Sequence, residues 1–306
     1  MAIVAKGLDK PDDQAKYLNR STHWQNQWNP SLSTLGFQGF FGTRFANGSF
    51  DDSFTEEYIT SFSGYWADPA YEATLWEYAY SVPHDIAGLI AKMGGKETFS
   101  ARLDTTRSQN LIDISNEPSF LTPLLHLYTG GQHYKAVDWT RSIMEQYSSS
   151  PSGLPGNSDA GAMNAYLVWF YLGLYPVVPL PIYLLTVPYF PAIDVNLGTS
   201  NASLHEYNGR ASSEGPVAAV SATTSGGAKL QIRAHDLPTA AEAERKSYVQ
   251  QVTLNGKEHT RAWVHHDEIK EGAVLEFFMG DTPVGWNTGP LPPSSSTSLD
   301  GLTFSA

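Results

Sequence analysis

Two glycine pairs, at residues 94–95 and 130–131, divide the first half of the chain into short segments with helical periodicity. Apolar residues before the first pair, within 86–93, follow the i, i+3, i+4, i+7 spacing of one helix face, and a second stripe begins after it. The same order surrounds the second pair. Because glycine readily ends a helix, each unit predicts a helical hairpin. Such hairpins pack in a bundle, a solenoid or an (α/α) toroid, although no strict sequence repeat accompanies them.

Two further helices are predicted from local signals. Pro11 followed by two aspartates is typical of a helix start, and the helix is expected to carry Trp24 and Trp28 on one face until Pro30 ends it. Residues 160–172 form another apolar helical segment.

From about Tyr183 the apolar pattern changes to period two, which predicts strands. Asn255-Gly256 is a strong signal for a hairpin turn. Residues 199–227 read as a long loop, and residues 291–306, rich in Pro and Ser, as a flexible tail. The predicted strands are residues 183–187, 192–197, 229–234, 248–254 and 274–279.

Charge and hydropathy exclude two classes of partner. The net charge is -12, and an acidic surface repels a phosphate backbone, so no nucleic-acid partner is expected. The longest apolar run, residues 165–185, is interrupted by one glycine and three prolines, so no membrane partner is expected. Sequons at Asn19, Asn47 and Asn201 hint at secretion, whereas the first residues lack the apolar stretch of a signal peptide. Secretion is therefore an expectation for a full-length parent protein and is not indicated by the first residues of this chain.

Familiar catalytic motifs do not occur in the sequence. It has no phosphate-binding glycine loop, no nucleophile elbow and no HExxH zinc motif. The densest histidine cluster, residues 263–268, is interpreted as a solvated turn after a strand rather than a metal site.

Three polar clusters lie where predicted helices meet loops, and each contains a carboxylate: Glu72, Glu117 or Asp159. In a helical toroid the loops at one end surround a common cleft, and glycosidic cleavage needs two carboxyl groups there. The alternative is that each carboxylate caps a helix, as Asp159 would do before residues 160–172. The clusters are residues 71–76, 115–119 and 153–161.

Ordered motifs through nearly the whole chain resemble one enzyme family. They are Glu72-x-x-x-Trp76-x-Tyr78-x-x-x-Val82-Pro83-His84-Asp85 with Gly94-Gly95, then Asn116-Glu117-Pro118-Ser119, and then Gly156-Asn157-Ser158-Asp159-Ala160-Gly161. Together with residues 172–177, 248–257 and 275–280, these motifs are similar to glycoside hydrolase family 92.

The resemblance implies inverting hydrolysis of terminal α-mannosides on glycans, such as those processed in N-glycan trimming, assisted by calcium that binds the mannose hydroxyls and helps distort the ring. It implies Glu72 as the general acid and Asp159 as the general base. The neighbouring Leu75 and Trp76 are expected to give Glu72 an apolar setting. Substrate contacts are implied for Asn116, Glu117 and Trp76. The candidate calcium ligands are Glu117, Asn157 and Asp159.

The motifs also depart from the family pattern. Ala73-Thr74 stands where Gly-Asn is usual, and Ser158 stands where an acidic residue precedes the base. Asn116 stands where members that cut α-1,2 linkages often have His, which leaves the linkage open.

Members of the family are considerably longer, with an N-terminal β-sandwich and a complete (α/α)6 toroid that enclose the active site. The resemblance therefore implies an α+β chain with a partial (α/α) toroid of paired helices in residues 1–180, a small antiparallel β region in 181–290 and a flexible tail in 291–306. Two hypotheses follow: the chain is a fragment of an α-mannosidase, inactive alone, or it is a degenerate non-catalytic remnant that at most binds sugar or a partner chain.

Overall fold

A computed structural model describes residues 1–61, 70–198, 227–238 and 247–297. The first part is mainly helical, and the second part is mainly strand. Within these ranges the helices are α1 (Ala2–Gly7), α2 (Pro11–Ser21), α3 (Glu56–Thr60), α4 (Leu75–Tyr78), α5 (Ile86–Lys92), α6 (Lys96–Ser108), α7 (His133–Met144), α8 (Ala162–Leu172) and α9 (His266–Ile269). Shorter 3-10 helices span His23–Gln27, Glu117–Ser119, Thr122–Tyr128 and Asp159–Gly161.

The strands fall into three sheets. β1 (Trp28–Thr34) and β2 (Phe37–Phe41) form a hairpin, and a three-stranded sheet has the order β3-β4-β9. A five-stranded sheet has the order β5-β6-β10-β7-β8. The remaining bounds are β3 (Leu174–Pro176), β4 (Ile182–Leu185), β5 (Ala192–Gly198), β6 (Ala228–His235), β7 (Tyr248–Leu254), β8 (Lys257–Glu258), β9 (Trp263–His265) and β10 (Ala273–Gly280).

The glycine pairs end helical segments as the sequence predicts. Both residues of the first pair have positive φ, 94° and 100°, and α5 and α6 flank them. The second pair, with φ of 82° and 65°, precedes α7. The segment before it is 3-10 rather than α-helical. Pro123 lies in the middle of residues 118–128 and has no N–H to donate to a continuous α-helix there.

The N-terminal helix is shorter than the sequence predicts. α2 begins at Pro11 as expected but ends at Ser21, and Trp28 opens strand β1. The turn between β1 and β2 uses Leu35 and Gly36, both with positive φ. The sequence places Trp24 and Trp28 on one helix face, but Trp24 lies in the 3-10 helix His23–Gln27 and Trp28 begins β1. Their rings meet edge to face at a 6.4 Å centroid distance.

A buried arginine joins this hairpin to the helices. The guanidinium of Arg102, on α6, donates a 2.9 Å hydrogen bond to the carbonyl oxygen of Gly39 on β2. It lies 4.0 Å from the Phe40 ring centroid, a cation–π distance. Burial lowers the pKa of Arg102 to about 10. The region between α2 and α3, for which the sequence predicted no strand, therefore belongs to the core of the helical part.

The β region contains the predicted strands, but the relative direction of one strand pair differs from the prediction. Asn255 and Gly256 form the expected hairpin turn, with φ of 52° and 73°. β10, however, pairs in parallel with β6, so the prediction of an antiparallel region is wrong for this pair. Residues 263–268 also differ from prediction, because β9 pairs with β4 and is followed at once by α9. Period two identifies a strand but carries no information about its partner or direction.

The last described residues pack against the helical part. The hydroxyl of Ser294 accepts a hydrogen bond from the Ala87 N–H at 3.0 Å, and the Ser296 N–H donates to the Asp85 carboxylate at 3.2 Å. The flexible tail predicted from residue 291 is therefore wrong for residues 291–297, whose backbone is tied to the start of α5. The remainder of that tail and most of the predicted loop at 199–227 lie outside the described residues.

Two hydrophobic clusters form the core, one around Trp76 in the helical part and one beneath the five-stranded sheet. Val137 of α7 and Trp169 of α8 pack against the second cluster, so the helices cover one face of the sheet. The α+β content expected from the sequence is confirmed. In the ranges that the structure covers, none of the helices has both the length and the apolar character that crossing a membrane requires.

Candidate functional site

The three polar clusters predicted from the sequence meet at one place. The side-chain amide of Asn116 donates a 2.6 Å hydrogen bond to the backbone carbonyl oxygen of Glu72. Gly156 lies so close to the backbone of Ser115 that an added Cβ would sit 2.1 Å from the Ser115 carbonyl oxygen. We call the three segments the Glu72 loop (residues 70–74), the Asn116 loop (residues 113–119) and the Asp159 loop (residues 153–161).

Glu72 is exposed and has a left-handed backbone, with φ of 54°. A hydrogen bond between the hydroxyl of Tyr71 and the Glu72 side chain raises the pKa of that phenol, because the bond stabilises its neutral form. The Tyr78 hydroxyl in turn donates to the backbone carbonyl of Tyr71 at 2.9 Å. Leu75 and Trp76 point into the core; the apolar setting that they were expected to give Glu72 is therefore not found.

Trp76 was expected to contact substrate, and the structure does not support this role. Its side chain is 0% exposed, and its ring packs against Phe37 and Phe40. The indole N–H donates a 2.7 Å hydrogen bond to the Thr106 hydroxyl. A ring enclosed in this way has no free face for stacking on a sugar, so Trp76 is part of the hydrophobic core in this chain.

The Asn116 loop presents the residues assigned to sugar contact. Glu117 is exposed and begins the 3-10 helix Glu117–Ser119. Asn116 precedes that helix but does not cap it, because its side chain turns to Glu72 instead. The amide therefore fixes one loop against another rather than stabilising its own helix.

Asp159 is exposed and does not cap α8, contrary to the structural alternative for this residue. It lies in the 3-10 turn Asp159–Gly161, and the N-cap position of α8 is Gly161, which has no side chain. Ala160 has φ of 49° and Gly161 has φ of 80°. A left-handed alanine is strained, and such strain is concentrated at functional sites. The Asp159 carboxylate therefore precedes two residues with left-handed backbone and makes no capping hydrogen bond.

The oxygen-bearing residues considered for calcium are only a partial set. Glu117, Asn157 and Asp159 are all exposed, and their oxygens are of the kind that calcium prefers. Calcium takes roughly six to eight such ligands, yet no group of three acidic, histidine or cysteine side chains suited to a metal occurs among the described residues. The Ser158 hydroxyl, at the usually acidic position, is buried with no hydrogen-bond partner there. The residues present do not make a calcium site by themselves.

One carboxylate at this site escaped the sequence interpretation. Glu77 is 2% exposed and forms a reciprocal capping box with Thr74 at the start of α4. The pattern Thr74-x-x-Glu77 is a recognisable capping-box signature. It would have identified this pair. Glu77 also lines a cavity of about 440 Å³ together with Arg107 and Asp113. None of Glu72, Glu117 and Asp159 lines that cavity.

Comparisons with known proteins place this site in a wider context. Residues 1–281 match the family model described as the glycosyl hydrolase family 92 catalytic domain. A protein of the fungus Arthroderma benhamiae named as an uncharacterized secreted glycosidase is 31% identical over 99% of this chain. Among solved structures, a family 92 α-mannosidase of Bacteroides thetaiotaomicron aligns with 96% of this chain at a TM-score of 0.74 and 26% identity. An inverting mannosidase of the same family and organism aligns with 97% at a TM-score of 0.75 and 26% identity.

The chain spans only part of each of these proteins. It corresponds to 37% of the fungal relative, and to 35% and 38% of the two bacterial enzymes.

Proposed function

The chain belongs to glycosyl hydrolase family 92, and we propose that it contributes the acid and base to an inverting α-mannosidase that removes terminal α-linked mannose from glycans. The observation that supports this proposal most directly is that the Glu72 loop and the Asp159 loop both contact the Asn116 loop. The similar solved structures are titled as family 92 mannosidases, one of them inverting.

In this proposal Glu72 protonates the leaving-group oxygen and Asp159 activates the attacking water. An inverting reaction requires the two carboxyl groups to stand roughly 6.5–9.5 Å apart, because the water must fit between base and sugar. Two features support the roles. Both carboxylates are exposed, and Asp159 is not engaged in capping. Asn116 and Glu117 then contact the sugar from the loop that joins the other two.

Calcium enters this proposal through the family resemblance. Bound calcium would hold sugar hydroxyls and favour a distorted ring. Glu117, Asn157 and Asp159 supply hard oxygen donors but too few of them, so we derive no catalytic step through the metal. Further ligands would be backbone carbonyl oxygens, water or residues of the part of the family architecture that this chain does not span.

The rest of the active site is proposed to come from the part of the family architecture that this chain does not span. In the complete protein an N-terminal β-sandwich and the other helices of an (α/α)6 toroid would face these loops. Apolar side chains on the helical part are consistent with missing neighbours. Val4 of α1, Leu8 directly after α1 and Val168 of α8 are each more than half exposed. Secretion of the complete protein is part of the proposal, in line with the name of the fungal relative.

A second function is favoured by the departures at the site. Ser158 and Ala73-Thr74 replace residues that the family usually has there, and the calcium donor set is short. These features favour a non-catalytic remnant that at most binds sugar or a partner chain.

One experiment distinguishes the two proposed functions. The chain is fused to the upstream part of a family 92 mannosidase, and hydrolysis of an α-mannosyl disaccharide, whose sugar leaving group needs protonation, is followed by proton NMR. Release of β-mannose, lost on Glu72→Gln and kept on Glu97→Gln, supports the mannosidase. Glu97 is a suitable control because it is an exposed carboxylate in the first turn of α6, away from the three loops. A folded fusion that binds mannose without hydrolysing the mannoside supports the remnant.

A further inference from the structure

Glu77 joins two of the three loops through one buried carboxylate. Its Oε2 accepts a 2.7 Å hydrogen bond from the backbone N–H of Thr74, at the end of the Glu72 loop. Its Oε1 accepts a 2.9 Å bond from the N–H of Asp113 and a 2.7 Å bond from the hydroxyl of Ser119. Asp113 and Ser119 are the two ends of the Asn116 loop. A single side chain therefore holds both ends of one loop and one end of another.

These bonds close a circuit around the proposed acid. Thr74 follows Glu72 by two positions and is held by Glu77, while Asn116 bonds the carbonyl oxygen of Glu72 from the other side. Asn116 itself lies between the two anchors on Asp113 and Ser119. The backbone of Glu72, in its left-handed conformation, is thus held from both directions, and Glu77 is the common member of the two arms.

We propose that Glu77 is a positioning residue that fixes the proposed acid, Glu72, relative to the proposed sugar contacts, Asn116 and Glu117. The inference rests on the proposed function for its catalytic meaning, whereas the mechanical link between the loops stands on the hydrogen bonds alone. Glu77 does not touch the reacting atoms, because its side chain is buried and its oxygens are occupied by Thr74, Asp113 and Ser119.

The three partners explain why a carboxylate is needed. All three donate, and a carboxylate has acceptor sites on both oxygens. Glutamine has the same shape but only one acceptor oxygen. It retains the most bonds by turning that oxygen to Asp113 and Ser119, which places its NH₂ group against the N–H of Thr74. Glu77→Gln is therefore expected to release the Glu72 loop while the Asn116 loop stays anchored.

The first test measures hydrogen–deuterium exchange on this chain by mass spectrometry. In Glu77→Gln, a peptide covering residues 70–75 should exchange about fivefold faster or more, the factor that one net hydrogen bond is worth. Ser119→Ala removes a donor only from the Asn116 loop, whose Asp113 anchor and bond to Glu72 remain, so it should speed exchange of that peptide much less. The surface control Glu97→Gln should leave it unchanged. Unchanged exchange of residues 70–75 in Glu77→Gln overturns the proposal, whatever the activity.

The second test uses the fused enzyme of the proposed function. A displaced acid should slow mannosides with poor leaving groups more than activated aryl mannosides, because only the former depend on protonation. Glu77→Gln should therefore lower kcat selectively for poor leaving groups, whereas mere loss of folded protein would lower both rates equally. An equal loss overturns the positioning role. If exchange increases but the unsubstituted fusion is inactive, the link between the loops stands and the proposed function fails.

Discussion

The side-chain amide of Asn116 donates a 2.6 Å hydrogen bond to the backbone carbonyl oxygen of Glu72, although the two residues are 44 positions apart in the chain. The bond gives a structural reason for asparagine at a position where related motifs often carry histidine: its amide holds the neighbouring loop. Because the acceptor is a backbone atom, this bond does not occupy the Glu72 carboxylate, whose hydrogen-bond partner is the Tyr71 hydroxyl.

Replacing this donor should loosen the Glu72 loop. Asn116→Ala is expected to reduce the free energy of unfolding by about 1 kcal/mol or less, since the bond is net worth about that much and is solvent-exposed. Urea unfolding measures this directly. Asn116→Asp should be worse than Asn116→Ala, because a carboxylate cannot donate and faces a carbonyl oxygen. An aspartate variant as stable as the unsubstituted chain would show that the bond does not contribute.

The contact between the Asp159 and Asn116 loops should be sensitive to a single methyl group. An added Cβ at Gly156 would lie 2.1 Å from the Ser115 carbonyl oxygen, so Gly156→Ala should force the loops apart and cost about 1–3 kcal/mol. Gly7→Ala is the matched control, because nothing lies within 4 Å of a Cβ there. Thermal melting of both variants decides the point, and equal melting temperatures would mean that the loops are not in contact.

The proposed acid and base should respond differently to the leaving group in the fused enzyme. Glu72→Gln is expected to abolish cleavage of mannosides with poor leaving groups and to affect activated aryl mannosides less, because these need less protonation. Asp159→Asn should slow both classes alike, since every substrate needs the activated water. Steady-state kinetics on the two classes checks this. A carboxyl separation beyond about 12 Å in a structure of the complete enzyme would remove the assignment, because a single water could not bridge it.

Calcium should stabilise this chain only slightly. The exposed oxygens of Glu117, Asn157 and Asp159 form an incomplete set, and stabilisation by a ligand depends on the ratio of its concentration to Kd. At millimolar calcium the melting temperature should rise little, and EDTA should reverse little. A rise of several degrees that EDTA abolishes would show that the chain holds a substantial part of the metal site.

Acidification should destabilise the fold through buried histidine. Burial lowers the pKa of His133 from 6.5 to about 4, and its Nε2 lies 3.0 Å from the Leu185 carbonyl oxygen. The folded state binds a proton at His133 less readily than the unfolded state does. Neutral His133 therefore contributes its full share of the free energy of unfolding above pH 6.5, and this contribution is lost as the pH falls toward 4. The loss is on the order of a few kcal/mol. Urea unfolding at pH 7 and pH 4.5 measures how much the free energy of unfolding falls between the two pH values. The fall should be smaller in His133→Gln, and an unchanged fall would exclude His133 as a cause.

The local sequence was sufficient for about half of the elements of this fold. Period-two segments located β5, β6, β7 and β10 within about one residue of their observed bounds, because alternation of side chains follows directly from an extended backbone. The glycine pairs located helix ends because a positive φ is also a local requirement, and glycine meets it at little cost. The family motifs likewise located all three loops.

Tertiary structure decided what local patterns leave open. Trp28 fits a helix face or a strand equally well by spacing, and packing against Phe41 in the β1–β2 hairpin settled the choice. Trp76 could be exposed or buried by composition, and Arg102 with Phe40 enclosed it. The parallel pairing of β10 with β6, the binding of residues 291–297 to α5, and the link from Glu77 to Asp113 and Ser119 depend on segments far apart in the chain. Contacts of that kind are chosen by the free energy of the whole packed core, so no window of sequence contains them.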